Sequence, residues 1–273
     1  MNEVLENNPK LWQSHLPIVD KDSSKYTRGH ALIIGGYPLT GAARLAGMAA
    51  ARVGAGLTAI VVPEIAFPIY ATALTSVMVR PFNTADDFTA LISDKRISAF
   101  LIGPGANVNN ETRQQALCIL AIGKPVILDA GAISVFENDL RSLKHAINGI
   151  CVLTPHDGEF SRLFQLDSDR VISAKNAAHK SGAIIVLKGS ETIIAAPNGE
   201  IIINRNAPAT LATAGSGDVL AGIIIGLLTQ GMAPFLASAA AVWLHGEAAN
   251  QFGVGLIAED LPNMLPKALK ILL

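Results

Sequence analysis

Residues 213–218 have the sequence TAGSGD and run directly into residues 219–228, an apolar segment without a charge. A loop of small residues at the start of a helix leaves backbone N–H groups without partners. Together with the helix dipole, these groups form an anion hole. Asp218 lies just inside the predicted helix, where its carboxylate could accept a proton from a hydroxyl group that attacks a bound phosphate. On the local residues alone, a role for Asp218 as a simple helix cap is equally well supported.

Upstream of this loop, short apolar runs alternate with helix-like segments. The predicted strands are residues 31–35, 57–62, 99–103, 125–129, 150–154 and 183–188, and the predicted helices include residues 41–53, 110–122 and 168–182. Continuous apolar runs are typical of strands that are buried on both faces of a sheet. Strands that alternate with helices favour a mostly parallel sheet with right-handed crossovers.

A hairpin is predicted before the last helices. Residues 192–196 and 200–204 are joined by Pro197-Asn198-Gly199, and Asn-Gly is a strong hairpin signal. The chain that follows is almost entirely helical. Because no repeat or linker interrupts the pattern, we expect residues 1–273 to form one α/β domain, with helices on both faces of the sheet and residues 1–24 as a lead-in arm.

Small or polar residues follow five of the predicted strands. These segments are residues 36–42, 104–107, 129–131, 154–159 and 188–192. In open α/β sheets, ligands bind beyond the carboxyl ends of the strands. Any one of the segments could be an ordinary turn, but their convergence at one edge predicts a shared cleft.

The composition excludes several classes of protein. Half of the 273 residues are hydrophobic (50%) and 16% are charged, which predicts a large core rather than disorder. The net charge of −1 gives no basic excess for nucleic acid. Residues 219–244 are uncharged, but Gly231 and Pro234 interrupt them, so two buried helices are favoured over a membrane span. The two cysteines need no disulfide and the N-terminus has no signal-peptide pattern, so we expect a cytoplasmic protein.

Other local patterns are weaker. The TAGSGD loop is not a Walker motif, since no Gly-Lys-Ser/Thr follows a strand. His156, Asp157 and Glu159 could bind a metal, although a turn with solvated charges is the favoured interpretation. His245 lies in an apolar helical stretch and is interpreted as a core histidine whose hydrogen bonds are satisfied.

Taken together, these segments closely resemble the ADP- or ATP-dependent NAD(P)H-hydrate dehydratases of the ribokinase-like superfamily. The matching residues are Lys25-Tyr26-Thr27-Arg28-Gly29-His30, Gly35-Gly36, Gly41-Ala42, Gly103-Pro104-Gly105, Leu153-Thr154-Pro155-His156, Gly158-Glu159, Lys188-Gly189, Thr192, Gly215-Ser216-Gly217-Asp218-Val219-Leu220-Ala221-Gly222 and Leu244-His245-Gly246. Gly-x-Gly-Asp alone is typical of the superfamily, and its combination with Thr-Pro-His and Gly-Pro-Gly is specific to the dehydratases. The similarity extends over residues 25–261.

The resemblance implies an enzyme that repairs NADH and NADPH hydrated at C6 of the nicotinamide ring. The S form of the hydrate would be phosphorylated on its C6 hydroxyl by ADP or ATP, with Mg²⁺ assisting the phosphates. Phosphate would then leave, which regenerates the reduced dinucleotide and yields AMP or ADP. The resemblance also implies a homo-oligomer, expected to be a tetramer, and a hydrate epimerase as functional partner on a separate chain or domain.

The resemblance also implies roles for individual residues. Asp218 corresponds to the catalytic base and to one of the groups that contact the hydrate. The other implied hydrate contacts are Ala42, Gly105 and His156. The implied anion hole is formed by Gly215, Ser216 and Gly217. The implied nucleotide contacts are Lys188, Gly189, Ser190, Glu191, Thr192 and Gly217. No metal ligand is assigned.

Two residues depart from the family pattern. Asp157 stands where the family usually has Pro between His and Gly, and it adds a negative charge near the expected phosphates. Ala214 stands where the family usually has the first glycine of the loop. Alanine preserves the backbone N–H group, so the anion hole is expected to survive unless this position needs a positive φ.

Three alternative functions stay open at this point. A small-alcohol or vitamin kinase of the ribokinase type would share Asp218 and the anion hole. An NAD-dependent dehydrogenase would use Gly35 and Gly36, but the GxGxxG spacing is missing. A catalytically silent nucleotide-binding regulator is the third. ADP and ATP, and the NADH and NADPH hydrates, all stay open as substrates.

Overall fold

A single sheet organises the fold. The computed structural model describes residues 4–272, so the first three residues of the expected arm lie outside it. The strands are β1 (Val4–Glu6), β2 (His30–Ile34), β3 (Leu57–Pro63), β4 (Met78–Phe82), β5 (Ala99–Ile102), β6 (Val126–Leu128), β7 (Cys151–Leu153), β8 (Ile184–Leu187), β9 (Thr192–Ala195) and β10 (Ile201–Asn204). They form one 10-stranded sheet in the order β1-β10-β9-β8-β7-β6-β5-β2-β3-β4.

The sheet is mostly parallel, as the alternating pattern predicted. Among the strands of residues 4–272, only β9 is antiparallel to its neighbours, β8 and β10. The predicted hairpin is therefore confirmed as β9 and β10, joined by the Asn-Gly turn. Each of the six predicted strands before the hairpin is also present, with ends that differ by at most one residue.

Helices cover both faces of the sheet. They are α1 (Thr40–Arg52), α2 (Phe67–Ala73), α3 (Ala85–Ile92), α4 (Asn110–Ala121), α5 (Gly131–Ser134), α6 (Leu140–Ala146), α7 (Asp157–Leu163), α8 (Arg170–Ser181), α9 (Ser216–Thr229), α10 (Pro234–Phe252) and α11 (Leu261–Lys270), with short 3₁₀ helices at Pro9–Leu11, Gln13–His15, Glu64–Ala66 and Ala209–Leu211. Successive strand residues point to opposite faces. In β2, Ala31 and Ile33 accordingly join the core beneath α1, α9, α10 and α11, while Leu32 and Ile34 join the core beneath α3 to α8.

The strand order reverses direction between β2 and β5. The chain runs outward from β2 to β3 and β4, and then returns to the other side of β2. The loops that follow β2 and β5 meet at this point, because a Cβ on Gly36 would lie only 1.8 Å from the Gly105 carbonyl oxygen. A reversal of this kind opens a crevice at the carboxyl ends of the strands, where ligands bind in doubly wound sheets.

The described part of the expected N-terminal arm is packed against the rest of the fold. β1 pairs in parallel with β10. Asn7 Nδ2 donates hydrogen bonds to Asn204 Oδ1 (2.9 Å) and to the Ala239 carbonyl oxygen (2.8 Å). Trp12 is fully buried and donates from Nε1 to Asn7 Oδ1 (3.0 Å). The sequence pattern did not predict this strand, because β1 has only three residues, all exposed.

The uncharged segment 219–244 is divided between α9 and α10, as predicted. No helix within residues 4–272 combines the length and the apolar character needed to cross a membrane. Strand β4 and helices α2 and α3 were not predicted. β4 contains Arg80 and Pro81 at the outer end of the sheet, so it lacks the apolar run that marked the central strands.

Candidate active site

The glycine loop forms the N-terminal end of α9. Gly215 is the N-cap, with a φ of +90°, and no side chain caps the first N–H groups of this helix. A Cβ on Gly215 would lie 2.8 Å from Leu45 Cδ1 and 2.9 Å from Ala258 Cβ, so both the backbone conformation and the packing require glycine. Since Gly215 is the N-cap and Asp218 lies in the first turn, the interpretation of Asp218 as the helix cap is wrong.

Ala214 does not distort this loop. The residues other than glycine that adopt a positive φ, among those that the structure describes, are Ala130 and Asn138. Ala214 therefore adopts a conformation that alanine tolerates. Replacing the usual glycine leaves the backbone N–H group of this position available to the loop.

A lysine and three carboxylates from different elements surround the loop. Lys188 Nζ lies 2.9 Å from Asp129 Oδ1 and 3.9 Å from Glu159 Oε2. A Cβ on Gly217 would lie 3.3 Å from the same Nζ, which places the ammonium group beside the glycine loop. Asp218 completes the cluster and interacts electrostatically with the other three charged groups. The ends of β6, β7 and β8 thus meet the start of α9, and they are three of the five strand ends that were expected to share one cleft.

The charged form of Lys188 is favoured within this cluster. Burial disfavours the ammonium ion, but the charges of Asp129 and Glu159 outweigh that effect and raise the pKa of Lys188. Asp129 is almost fully buried (1% exposed) and accepts a hydrogen bond from Thr154 Oγ1 (2.7 Å). The ammonium group is therefore held in place beside the loop, where it can attract phosphate.

Asp218 is poised to exchange a proton near neutral pH. Burial, assisted by the negative charges of Asp129 and Glu159, raises the pKa of Asp218 to about 7, although Lys188 acts in the opposite direction. A carboxylate with a pKa near the working pH is well suited to general base catalysis.

A cavity of about 590 Å³ adjoins the loop and contains most of the predicted nucleotide contacts. Its lining includes Lys188, Gly189, Ser190, Thr192 and Gly217. Ser216, which was already expected in the anion hole, also lines the cavity. The other lining residues were not predicted as nucleotide contacts, and they are Ala207, Pro208, Ala209, Leu211, Ala212, Leu220, Val242 and His245. They come from the segment before the loop and from α9 and α10, and their apolar character resembled that of ordinary core residues. Glu191, the other predicted contact, is exposed at the same turn.

His245 differs from the satisfied core histidine that was expected. It lines the cavity, and its buried Nε2 has no hydrogen-bond partner among the described residues. Burial lowers the pKa of His245 to about 4, so its ring is neutral at physiological pH.

The predicted hydrate contacts lie in two places along the strand ends. Gly105, with a φ of +73°, approaches Ala42 at the β2–β5 crevice, where a Cβ on Gly105 would lie 3.5 Å from Ala42 Cβ. His156 follows β7, on the far side of the β6 end that carries Asp129. Asp129 therefore lies between the two groups, although nothing in the sequence distinguished it from the other polar residues that follow strands.

His156 has a structural role that the sequence did not reveal. Its Nδ1 accepts hydrogen bonds from the backbone N–H groups of Gly158 (3.0 Å) and Glu159 (3.3 Å), which caps α7. Glu159 accepts in return from the His156 N–H group (3.0 Å). The side chain of His156 remains 59% exposed.

A preformed metal site is not found among residues 4–272, where no three His, Cys, Asp or Glu side chains are grouped suitably for an ion. The weakly supported metal site at His156, Asp157 and Glu159 therefore gains no support. Asp129 and Glu159 are the carboxylates within 4 Å of Lys188 Nζ, beside the glycine loop.

Comparisons with known proteins agree with one another. A family model described as NAD(P)H-hydrate dehydratase matches residues 31–270. The ADP-dependent (S)-NAD(P)H-hydrate dehydratase of Bacillus subtilis is 34% identical over 93% of this chain and 94% of its own length. The enzyme of the same description from Neisseria meningitidis is 36% identical over 84% of this chain and 79% of its own length.

Longer relatives and a solved structure extend the similarity. The bifunctional NAD(P)H-hydrate repair enzyme Nnr of Salinibacter ruber is 35% identical over 97% of this chain, which spans about half (52%) of that relative. The crystal structure of the B. subtilis ADP/ATP-dependent NAD(P)H-hydrate dehydratase, co-crystallised with ATP and Mg²⁺, superposes with a TM-score of 0.87 at 32% identity and covers 99% of both chains.

Proposed function

Because this chain belongs to the NAD(P)H-hydrate dehydratase family, we propose that it dehydrates the S form of C6-hydrated NADH or NADPH, with ADP or ATP as phosphoryl donor. The observation that carries the proposal is Asp218, a carboxylate with a pKa of about 7 in the first turn of α9, directly after the glycine loop. No other described carboxylate combines that pKa with a position at open helix N–H groups.

The proposed reaction begins with Asp218 taking the proton of the C6 hydroxyl. The hydroxyl oxygen forms a bond to the terminal phosphorus, and the bond from that phosphorus to the bridging oxygen breaks, so ADP becomes AMP or ATP becomes ADP. The N–H groups of Gly215 and Gly217 stabilise the charge on the transferred phosphoryl group, and Lys188 adds a positive charge beside them. The third member of the implied anion hole, Ser216, donates its N–H group to the Thr213 carbonyl oxygen (3.3 Å) within the loop, so it contributes less.

The second step is an elimination. Hydroxide is a poor leaving group and phosphate a far better one, so the phosphorylated hydrate loses phosphate readily. The C6–O bond breaks with assistance from the ring nitrogen, and C5 loses a proton, which restores the C5–C6 double bond of the reduced nicotinamide. The nucleotide thus supplies the driving force, and the protein supplies position and charge.

We propose that the nucleotide occupies the 590 Å³ cavity, with its base near residues 188–192 and its terminal phosphate at the glycine loop. Magnesium would be held mainly by phosphate oxygens, as is usual for this ion, with Asp129 and Glu159, the carboxylates beside Lys188, as the proposed protein ligands. It would neutralise phosphate charge during the transfer. Ala42, Gly105 and His156 are the proposed contacts of the hydrate.

Several further assignments belong to the same proposal. We propose that residues 1–273 act as one domain, supported by the continuous sheet, in a cytoplasmic homotetramer. A hydrate epimerase on a separate chain or domain would be the functional partner. The bifunctional repair enzymes, of which this chain spans about half, support that pairing.

The test is to incubate the protein with hydrated NADH, Mg²⁺ and either ADP or ATP. The absorbance band of NADH should return, and free phosphate should appear in equal amount. A small-alcohol kinase would instead leave a stable phosphomonoester of its own substrate and would not restore the NADH band. If neither nucleotide supports recovery of NADH, the proposal fails.

A further inference from the structure

Arg170, the first residue of α8, connects three segments at the edge of the proposed nucleotide cavity. Its Nη2 donates to the Lys188 carbonyl oxygen (2.8 Å), and its Nη1 donates to the Glu191 carbonyl oxygen (2.8 Å). Nη2 and Nε also donate to Asp157 Oδ1, at 2.8 Å and 3.2 Å. One guanidinium group thus holds both ends of the turn formed by residues 188–191.

Asp157 fixes Arg170 in that position. The Asp157 carboxylate lies in the first turn of α7. The Arg170 side chain is 24% exposed and is more buried than the Asp157 side chain, which is 53% exposed. The departure from the usual proline therefore does not leave an unpaired negative charge beside the expected phosphates. The Asp157 carboxylate instead forms an ion pair with Arg170.

The backbone of Lys188 is held from both sides. Its N–H group donates to the Pro155 carbonyl oxygen (2.8 Å), and its carbonyl oxygen accepts from Arg170. Its side chain extends in the other direction, to Asp129. Gly189 is packed so closely against the guanidinium group that a Cβ there would lie 2.6 Å from Arg170 Nη2. The turn and the start of the Lys188 side chain have little freedom while Arg170 is in place.

We propose that Arg170, anchored by Asp157, is a positioning residue that holds the 188–191 turn in the conformation that accepts the nucleotide. The inference rests on the proposed function, since it assumes that this turn contacts the nucleotide. A planar guanidinium group suits the task because its donors form a rigid fork, whereas the ammonium group of a lysine is a single point of charge.

The test compares Arg170→Ala with Arg205→Ala. Arg205 is a matched control, because it also pairs with the turn, but through the Glu191 side chain (2.7 Å) rather than through its backbone. In Arg170→Ala we expect KM and Kd for ADP or ATP to rise about tenfold, while kcat falls much less. Arg205→Ala should leave both nucleotide constants near the wild-type values. Asp157→Ala should cause a smaller rise, and adding it to Arg170→Ala should cause no further rise, because the two residues act as one unit.

Kd is measured by calorimetry without the hydrate, and the melting temperature Tm is recorded for every variant. Equal nucleotide affinity in folded Arg170→Ala and Arg205→Ala would overturn the inference, as would a fall in kcat as large as the rise in KM. If Arg170→Ala does not fold, Arg170→Lys decides, since it keeps the charge and must still show weaker nucleotide binding at a near-native Tm. If the wild type binds nucleotide but does not restore NADH, the proposed function fails, and the Kd values still decide the role of Arg170.

Discussion

Asp218 is kept in surroundings that oppose its negative charge. Burial raises its pKa to about 7, and the nearby Asp129 and Glu159 act in the same direction. Once it is ionised at neutral pH and above, such a carboxylate lowers the free energy of unfolding. Groups that lower stability in this way are often retained because they are needed for catalysis.

We predict that Asp218→Asn keeps the fold and nearly abolishes turnover. Asn is almost isosteric but cannot accept the proton, so turnover should fall by roughly 10²- to 10⁴-fold, the usual contribution of a general base. Because the buried charge is removed, Tm at alkaline pH should equal or exceed that of the wild type. Turnover and Tm measured on the same preparation check this. Near-normal turnover would remove the catalytic assignment.

The pH dependence should follow from the same group. The base acts when deprotonated, so kcat/KM should rise with pH and level off above about pH 7, the pKa of Asp218. Stability should change in the opposite sense. Between the ordinary pKa of 3.8 and about 7 the folded state binds more protons than the unfolded state, so this residue's contribution to stability falls as pH rises. A pH–rate profile in which kcat/KM is flat across neutrality would contradict the assignment.

Some residues of the site could be predicted from the sequence, and others could not. Asp218 and its glycine loop were found because the motif is contiguous. The pairing of Asp129 with Lys188 was missed, because the two residues are 59 positions apart and are brought together by the strand order. The hydrogen bond from Thr154 to Asp129 was missed for the same reason. Ordinary polar residues after strands gain their meaning only when the sheet brings them together.

At the level of elements, two glycines at the start of α9, Gly215 and Gly217, differ in whether the fold requires glycine. Gly217 does not require a positive φ, and a Cβ there meets only the end of the Lys188 side chain, at 3.3 Å. We predict that Gly217→Val keeps Tm within a few degrees but loses nucleotide binding, because its side chain fills the phosphate space. Gly215→Ala should lower Tm as well, since its φ and its packing both require glycine. Calorimetric titration with ADP and a thermal melt check both variants, and unchanged affinity in a folded Gly217→Val protein would contradict the proposed phosphate position.

Close packing of α1 against α9 supports the loop. A Cβ on Gly222 would lie 2.3 Å from the Ala46 carbonyl oxygen. We predict that Gly222→Ala lowers the free energy of unfolding by about 1–3 kcal/mol, the usual cost of overpacking. Gly41→Ala is the matched control in α1, because no atom of the described residues outside its own helical turn lies within 4 Å of its Cβ position. Urea unfolding of both variants measures the difference, and equal stabilities would mean that the contact between the helices is not tight.

Elements with a strong periodic or apolar signal were predicted well, and peripheral ones were not. The central parallel strands are buried on both faces, so their apolar runs were unambiguous. β4 contains Arg80 and Pro81, and β1 is short and exposed. Their pairing is set by the neighbouring strand rather than by their own residues, which is why local patterns did not reveal them.

For the whole molecule, nucleotide binding should increase stability. The cavity is built from strand ends of the sheet and from α9 and α10, so the bound nucleotide would contact segments far apart in the sequence. At a nucleotide concentration of about 100 times Kd, the free energy of unfolding should rise by about 2.7 kcal/mol. A thermal melt with and without ADP checks this, and the Gly217→Val protein should show no increase. An equal increase in both proteins would place the nucleotide elsewhere.

The short strand β1 has a consequence for the behaviour of the chain in solution. It occupies the open side of β10, whose Ile201, Ile202 and Ile203 are almost entirely buried. Without β1, β10 would present a row of unpaired N–H and C=O groups beside isoleucine side chains, a template onto which a strand of another molecule could add. The described part of β1 is itself a poor template, since it has three residues and ends in the charged Glu6. These three residues therefore cover the β10 side of the sheet, where another strand could otherwise add.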